Sequence, residues 1–284
     1  MSFYVNVLLV VIGSPGRFRS DTLQVLASLT TRLIYVQPVL VAAGNRRAQS
    51  VDDYQSELLF GRRLSNSELG CAIAHRNAVL QANQELSRDS TLEWTLIVED
   101  DADLDLTTFR RIEAELVDSA ISQPSLVSFY SVKTLGTKQF MCPVNTASAL
   151  KTHRQWTAGA VCYAINRHGL ADIHNFSSSP ISSVADWPLH YSRLKFFKSV
   201  HTRVSEVEGG STIGNRPRLG VGNRLVLHIR QLRHIKRIAA NHGVTVVDAV
   251  GHLIVFPAWR DFKARLELIT KHFRSSTAQS CSKI

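Results

Sequence analysis

The stretch "TLIVEDDADLD" runs from apolar, β-favouring residues into Glu99, Asp100, Asp101, Asp103 and Asp105. Crowded carboxylates resist full ionisation unless a cation offsets their repulsion. An all-oxygen ligand set of this kind suits Mg²⁺ or Mn²⁺. Such an ion clamps a diphosphate and takes up the charge that develops as phosphate leaves. The literal D-x-D is Asp101-Ala102-Asp103, and Glu99-x-Asp101 is an equivalent pair. The same acids have a structural use, because Asp103 and Asp105 precede "LTTFRRIEAEL" and favour a helix N-terminus. A phosphotransferase or receiver-like acid pocket has the same local look.

Other chemistry-bearing residues lie apart from this cluster. Glu68, Cys71 and His75 fall at i, i+3 and i+7, on one helical face. Cys71 and His75 have a metal-ligand spacing, with no partner pair in the sequence. A half-buried histidine packed on a sheet is the structural alternative for His75. Asp186 in "ADWPLH" is a lone acid before Trp187 and Pro188. Burial there raises a carboxyl pKa and suits it to accept a proton; a cap on a following helix is the competing role. Arg17 and Arg19 follow the first strand and can face a nucleotide, although surface arginines are commonplace. Ser211 and Thr212 sit in the glycine-rich "GGSTIG" loop.

The elements that must position these groups are legible from periodicity. A buried strand is expected over 5–13, a helix through Leu29 and a second strand over 32–41, interrupted by Pro38. Residues 44–66 read as a long polar loop. "NSELGCAIAHRNAVLQANQEL" reads as a capped helix with Leu69, Ile73 and Leu80 in its buried stripe. "EWTLIVE" is a strand, "LTTFRRIEAELVDS" a helix and "SLVSFY" a strand. This alternation predicts an α/β fold with a mostly parallel sheet. Further on, "WTAGAVCYAI" reads as a strand, "RHGLADIHNF" as a short helix and "VADWPLHYSRL" as a turn into a helix. "KFFKSVHTRVSEVE" reads as extended, and 223–242 and 256–273 as basic amphipathic helices. The expected organisation is a domain over 1–215 and a basic helical extension over 216–284.

The chain has 284 residues and a formal charge of +10, which favours anionic partners. There is no apolar run of membrane-spanning length, and "YVNVLLVVIG" lacks the basic flank and cleavage site of a signal peptide. Four scattered cysteines read as reduced thiols. Together these predict a cytoplasmic protein, which can sit peripherally on the inner membrane through the basic helix at 223–242. A nucleic-acid binder is disfavoured, because there is no RNP-like strand, zinc spacing or Gly-Lys phosphate loop.

"IGSPGRFRSDTLQVL", "SNSELGCAIAHRNAV", "TLIVEDDADL" and "WTAGAVCYAINRHGLADIH", followed by "ADWPLH" and "STIG", occur in this order over residues 5–214. Together they resemble glycosyltransferase family 25, the lipopolysaccharide-type glycosyltransferases related to collagen galactosyltransferases. The family's "NLD" after the first strand is missing here, and Ala74 stands where the family usually has serine. The resemblance implies a GT-A-like fold, a divalent cation (Mn²⁺ or Mg²⁺) and a UDP-sugar donor, often UDP-galactose. It implies a surface glycan or glycolipid acceptor and inversion at the anomeric carbon. By motif position it implies Asp101 as first metal ligand, with Glu99 and Asp100 in support, one of them on the ribose. It places His75 and its neighbour Glu68 near the donor together with Arg17, and Asp186 as the base. The alternative is a degenerate member that binds glycan or nucleotide without turnover.

Overall fold

A computed structural model describes residues 7–13, 22, 24, 28, 33–38, 41, 51–119, 121–130, 141–142, 150–153, 159–177, 180–182, 185, 188–199, 201–207 and 221–255. The described strands are β1 (Val7–Ile12), β2 (Leu33–Val36), β3 (Trp94–Glu99), β4 (Ser125–Ser128), β5 (Met141–Cys142), β6 (Leu150–His153), β7 (Cys162–Asn166) and β8 (Lys195–Ser199). The helices are α1 (Asp53–Phe60), α2 (Asn66–Arg88), α3 (Leu106–Asp118), α4 (Arg167–Ser177), α5 (Val221–Asn241) and α6 (Val246–Val250).

The strands form one sheet in the order β2-β1-β3-β7-β4-β8-β6-β5. β1 pairs in parallel with β2 and β3, and β4 pairs in parallel with β8. β7 runs antiparallel between β3 and β4. The fold is therefore α/β, with a mostly parallel but mixed central sheet compatible with a Rossmann-like arrangement. The sequence pattern of β7 signals a buried strand but not its direction, which is set by the connections on either side.

β1 is buried along its whole length, as expected for a strand covered on both faces. On one face, Leu9, Val11, Leu96 and Val98 pack with Phe109, Ile112 and Leu116 of α3. On the other, Leu8, Val10 and Ile97 pack with Ala74, Ala78 and Ala82 of α2 and with Leu170 and Ile173 of α4. The alanines let α2 lie close to the sheet. Its buried stripe includes Leu69 and Ile73 as predicted, whereas Leu80 is only partly buried. Arg167 ties the sheet to the C-terminus of α2 by donating to the carbonyls of Leu86, Asp89 and Leu92.

Several expectations are corrected. β2 ends at Val36, ahead of Pro38, which has no N–H for a ladder. The predicted loop at 44–66 contains α1, whose N-cap Asp52 accepts from the Gln55 N–H and whose C-cap Gly61 adopts φ 71°. The helix expected after Pro188 is a short 3₁₀ turn, Leu189–Arg193. Asp105 caps α3 by accepting from the Thr108 N–H, while the Asp103 N–H donates to the Ser205 carbonyl. The helix expected through Leu29 is helical at Thr22, Gln24 and Ser28, and the one at 256–273 lies outside the described residues. The helix predicted at 223–242 is α5; it packs on α1 through Leu58, Leu59, Ile238 and Ala239. Among the described residues no helix is long and apolar enough to cross a membrane.

Candidate functional site

β1 and β3 run side by side, with Ile12 opposite Glu99, and both strands end at the same edge. Ligands of open α/β sheets bind beyond the carboxyl ends of such strands. Gly13 follows β1 at that edge. A Cβ there would lie 2.2 Å from the Asp100 Cβ, so only glycine lets the acid turn sit this close to the first strand.

The turn after β3 is held from the other side by residues 203–207. Ala102 and Glu206 form an antiparallel bridge, and the Val207 N–H donates to the Asp101 carbonyl at 2.8 Å. This pairing adds Glu206 to the cluster of Glu99, Asp100 and Asp101, a residue that sequence spacing could not connect to them. The Tyr130 hydroxyl donates to Glu206 Oε1 at 3.0 Å. Gly159, with φ 94°, makes room for the Tyr130 ring, since a Cβ there would lie 2.0 Å from its Cε1.

Asp101 Oδ1 is buried without a hydrogen-bond partner. Burial raises the Asp101 pKa, and the charges of Glu99, Glu206 and Asp100 raise it further, to about 7. A lone buried carboxylate oxygen facing three other acids is the environment a hard divalent cation relieves. Asp101, Glu99, Asp100 and Glu206 are oxygen donors of the kind Mn²⁺ or Mg²⁺ takes, but no three of them bring a carboxylate oxygen each within 4.8 Å of one another.

Glu99 also reaches into α2. Its Oε1 lies 2.7 Å from His75 Nε2, and His75 Nδ1 lies 2.9 Å from the Tyr163 hydroxyl. Burial alone would lower the His75 pKa; Cys71 and Glu99 outweigh it and hold the imidazole at about 10. Both ring nitrogens of His75 are engaged, one with Glu99 and the other with the Tyr163 hydroxyl. Tyr163 is in turn hydrogen-bonded to Tyr191, completing a chain from the acid turn into the helical layer. Cys71, His75 and Glu99 also place one ligand atom each within 4.8 Å of one another. Among the described residues that mixed S, N and O set is the group whose ligand atoms converge in this way, and its donors are of a type that suits Zn²⁺. The third member comes from β3, which is why the Cys71–His75 spacing looked partnerless.

Glu68 is placed differently from its neighbours in the motif. Its carboxylate receives two 2.7 Å bonds from the Arg62 guanidinium and one of 2.9 Å from the Ser65 N–H, while its own N–H donates to Ser65 Oγ. This is a capping box at the start of α2. Burial would raise the Glu68 pKa, but Arg62 and Ser65 outweigh it and lower it to about 2. Arg17, Asp186, Trp187, Ser211 and Thr212 lie outside the described residues.

The structure thus brings Glu99, Asp100, Asp101 and His75 together and adds Glu206, Tyr130 and Tyr163. No protein-family model matches the chain, and no curated protein is detectably similar to it.

Proposed function

We propose that the chain is a metal-dependent glycosyltransferase with a GT-A-like fold. It moves a hexose, by resemblance galactose, from a UDP-sugar to a hydroxyl of a surface glycan. The observation that supports this reading best is the partnerless buried oxygen of Asp101 among Glu99, Asp100 and Glu206 at the ligand-binding end of β3. Asp101 is the leading metal ligand, with Glu206 and Glu99 beside it. When bound, a divalent cation supplies positive charge that stabilises the departing diphosphate. His75 orients Glu99 by its hydrogen bond to Oε1. Asp100, pressed against Gly13, is the candidate for the ribose. Asp186 remains the proposed base and Arg17 a donor contact, both assigned by motif position, and Glu68 supports the site by fixing the start of α2.

Calorimetry tests the metal and nucleotide site. UDP with Mn²⁺ should bind saturably, and at least tenfold more weakly in EDTA. Binding that ignores the metal, or no binding, contradicts the reading; release of UDP from a UDP-sugar is what separates it from the degenerate, binding-only alternative.

We also propose that α5 docks the protein on anionic membrane. One face of α5 is buried against its own domain through Gln231, Ile238 and Ala239. Leu225, Val226, Ile229 and Leu232 are exposed instead, with Arg230, Arg233, Lys236 and Arg237 exposed around them. An apolar stripe flanked by basic residues suits an interface bearing anionic headgroups.

A further inference from the structure

A cavity of about 330 Å³ lies between α2, the start of α1, residues 180–182, 185 and 188–191, and the end of α5. That volume is at the small end of ligand sites, about 300–1,000 Å³. His75 and Tyr191, two members of the chain of hydrogen bonds leading from Glu99, are in its wall.

The polar groups facing this cavity lack protein partners to an unusual degree. Gln55 is 2% exposed, yet neither its Oε1 nor its Nε2 makes a hydrogen bond. A buried amide left in this state is costly, so a fold retains it where something else satisfies it. Arg76 projects from α2 into the same wall with its Nε buried and unbonded. No carboxylate pairs with it among the described residues, and burial lowers its pKa. His190 and His242 stack with ring centroids 6.4 Å apart. Burial chiefly lowers their pKa values, to about 3 and about 4, so both are neutral hydrogen-bonding groups at physiological pH. Asp52 is the sole carboxylate among the described lining residues, and its Oδ1 already accepts from the Gln55 N–H. Phe176, Ile181 and Pro188 supply apolar wall.

We propose that this cavity binds a sugar-sized acidic ligand, its carboxylate or phosphate on Arg76 and its hydroxyls on Gln55 and the two histidines. A guanidinium with no counter-ion among the described residues, in a partly dry wall, is the group best suited to a planar or tetrahedral oxyanion. Gln55 offers both a donor and an acceptor, which matches a sugar hydroxyl. That the ligand is the glycosyl acceptor rests on the transferase reading; that it binds does not.

The test is calorimetry on the full chain without metal or nucleotide, using glucose 6-phosphate, glucuronate and glucose. The two acidic probes should bind saturably, with glucose at least about tenfold weaker. Arg76→Gln should weaken the acidic probes roughly 10- to 100-fold and leave glucose unchanged. Arg76→Lys should fall between. Gln55→Leu should weaken all three, which keeps the test open if Arg76→Gln fails to fold. Equal affinity for glucose and the acidic probes, wild-type binding by Arg76→Gln, or no saturable binding by any probe overturns the proposal. Loss of UDP turnover with intact probe binding would instead count against the transferase reading alone.

Discussion

Asp101 carries a pH signature. Its pKa is about 7 in the fold against an ordinary 3.8, through burial and the neighbouring acids. The metal-free fold therefore holds this proton more tightly than the unfolded chain does. The resulting stability is fully present below about pH 4 and is lost as pH rises through about 7. A cation acts in the opposite sense, because it needs the carboxylate. In EDTA, wild type should lose a few degrees of melting temperature relative to Asp101→Asn between pH 5 and pH 8, at about 2–4 °C per kcal/mol for a chain of this size. Mn²⁺ should restore those degrees at pH 8 and add little at pH 5. Identical pH profiles for the two proteins would refute the assignment of the shift to Asp101. At this scale the sequence was partly informative. "EDD" marked the cluster, but Glu206 joins it only through the bridge to Ala102. The literal D-x-D misleads, since the Asp103 N–H serves the 203–207 segment and the capping carboxylate belongs to Asp105.

At the scale of elements, α2 and α5 each serve two purposes. α2 begins at a capping box locked by Arg62, packs on the sheet through its alanines and delivers His75 to Glu99 and Arg76 to the cavity. Its helical character, serine cap and buried face were legible, because period and capping are local signals. The purpose of Glu68 was not: the motif placed it at the donor, and Arg62 occupies both of its oxygens. α1 went unseen because its face is only weakly apolar, although the Asp52 and Gly61 caps bracket it in the sequence. For α5 the packed and membrane-facing readings are compatible, because different faces are used. Vesicle sedimentation checks this. Binding should require anionic lipid, weaken in high salt, and drop at least roughly 100-fold in Arg230→Glu/Arg233→Glu/Lys236→Glu, at about 1 kcal/mol per basic residue. Equal binding to neutral vesicles, or no effect of the triple change, would sink the membrane role.

At the scale of the molecule, the mixed sheet brings the two candidate sites together. Inserting β7 antiparallel between β3 and β4 sets Tyr163 beside His75, so the acid turn and the cavity communicate through one chain of hydrogen bonds. The alternating pattern suggested a mostly parallel sheet and did not show that β7 is a reversed strand. Strand directions depend on long connections whose geometry leaves little trace in local composition, whereas the apolar runs of β1, β3 and β7 are visible directly.

The central claim is that the acid turn after β3 is the metal and nucleotide site of a glycosyltransferase. Its most direct test is UDP release by purified wild type and Asp101→Ala, with Mn²⁺ and a panel of UDP-hexoses and UDP-N-acetylhexosamines. The account predicts release from at least one donor, abolished by EDTA and lowered roughly 100-fold or more in the variant. No release from any donor, or full metal-dependent release by Asp101→Ala, would contradict it.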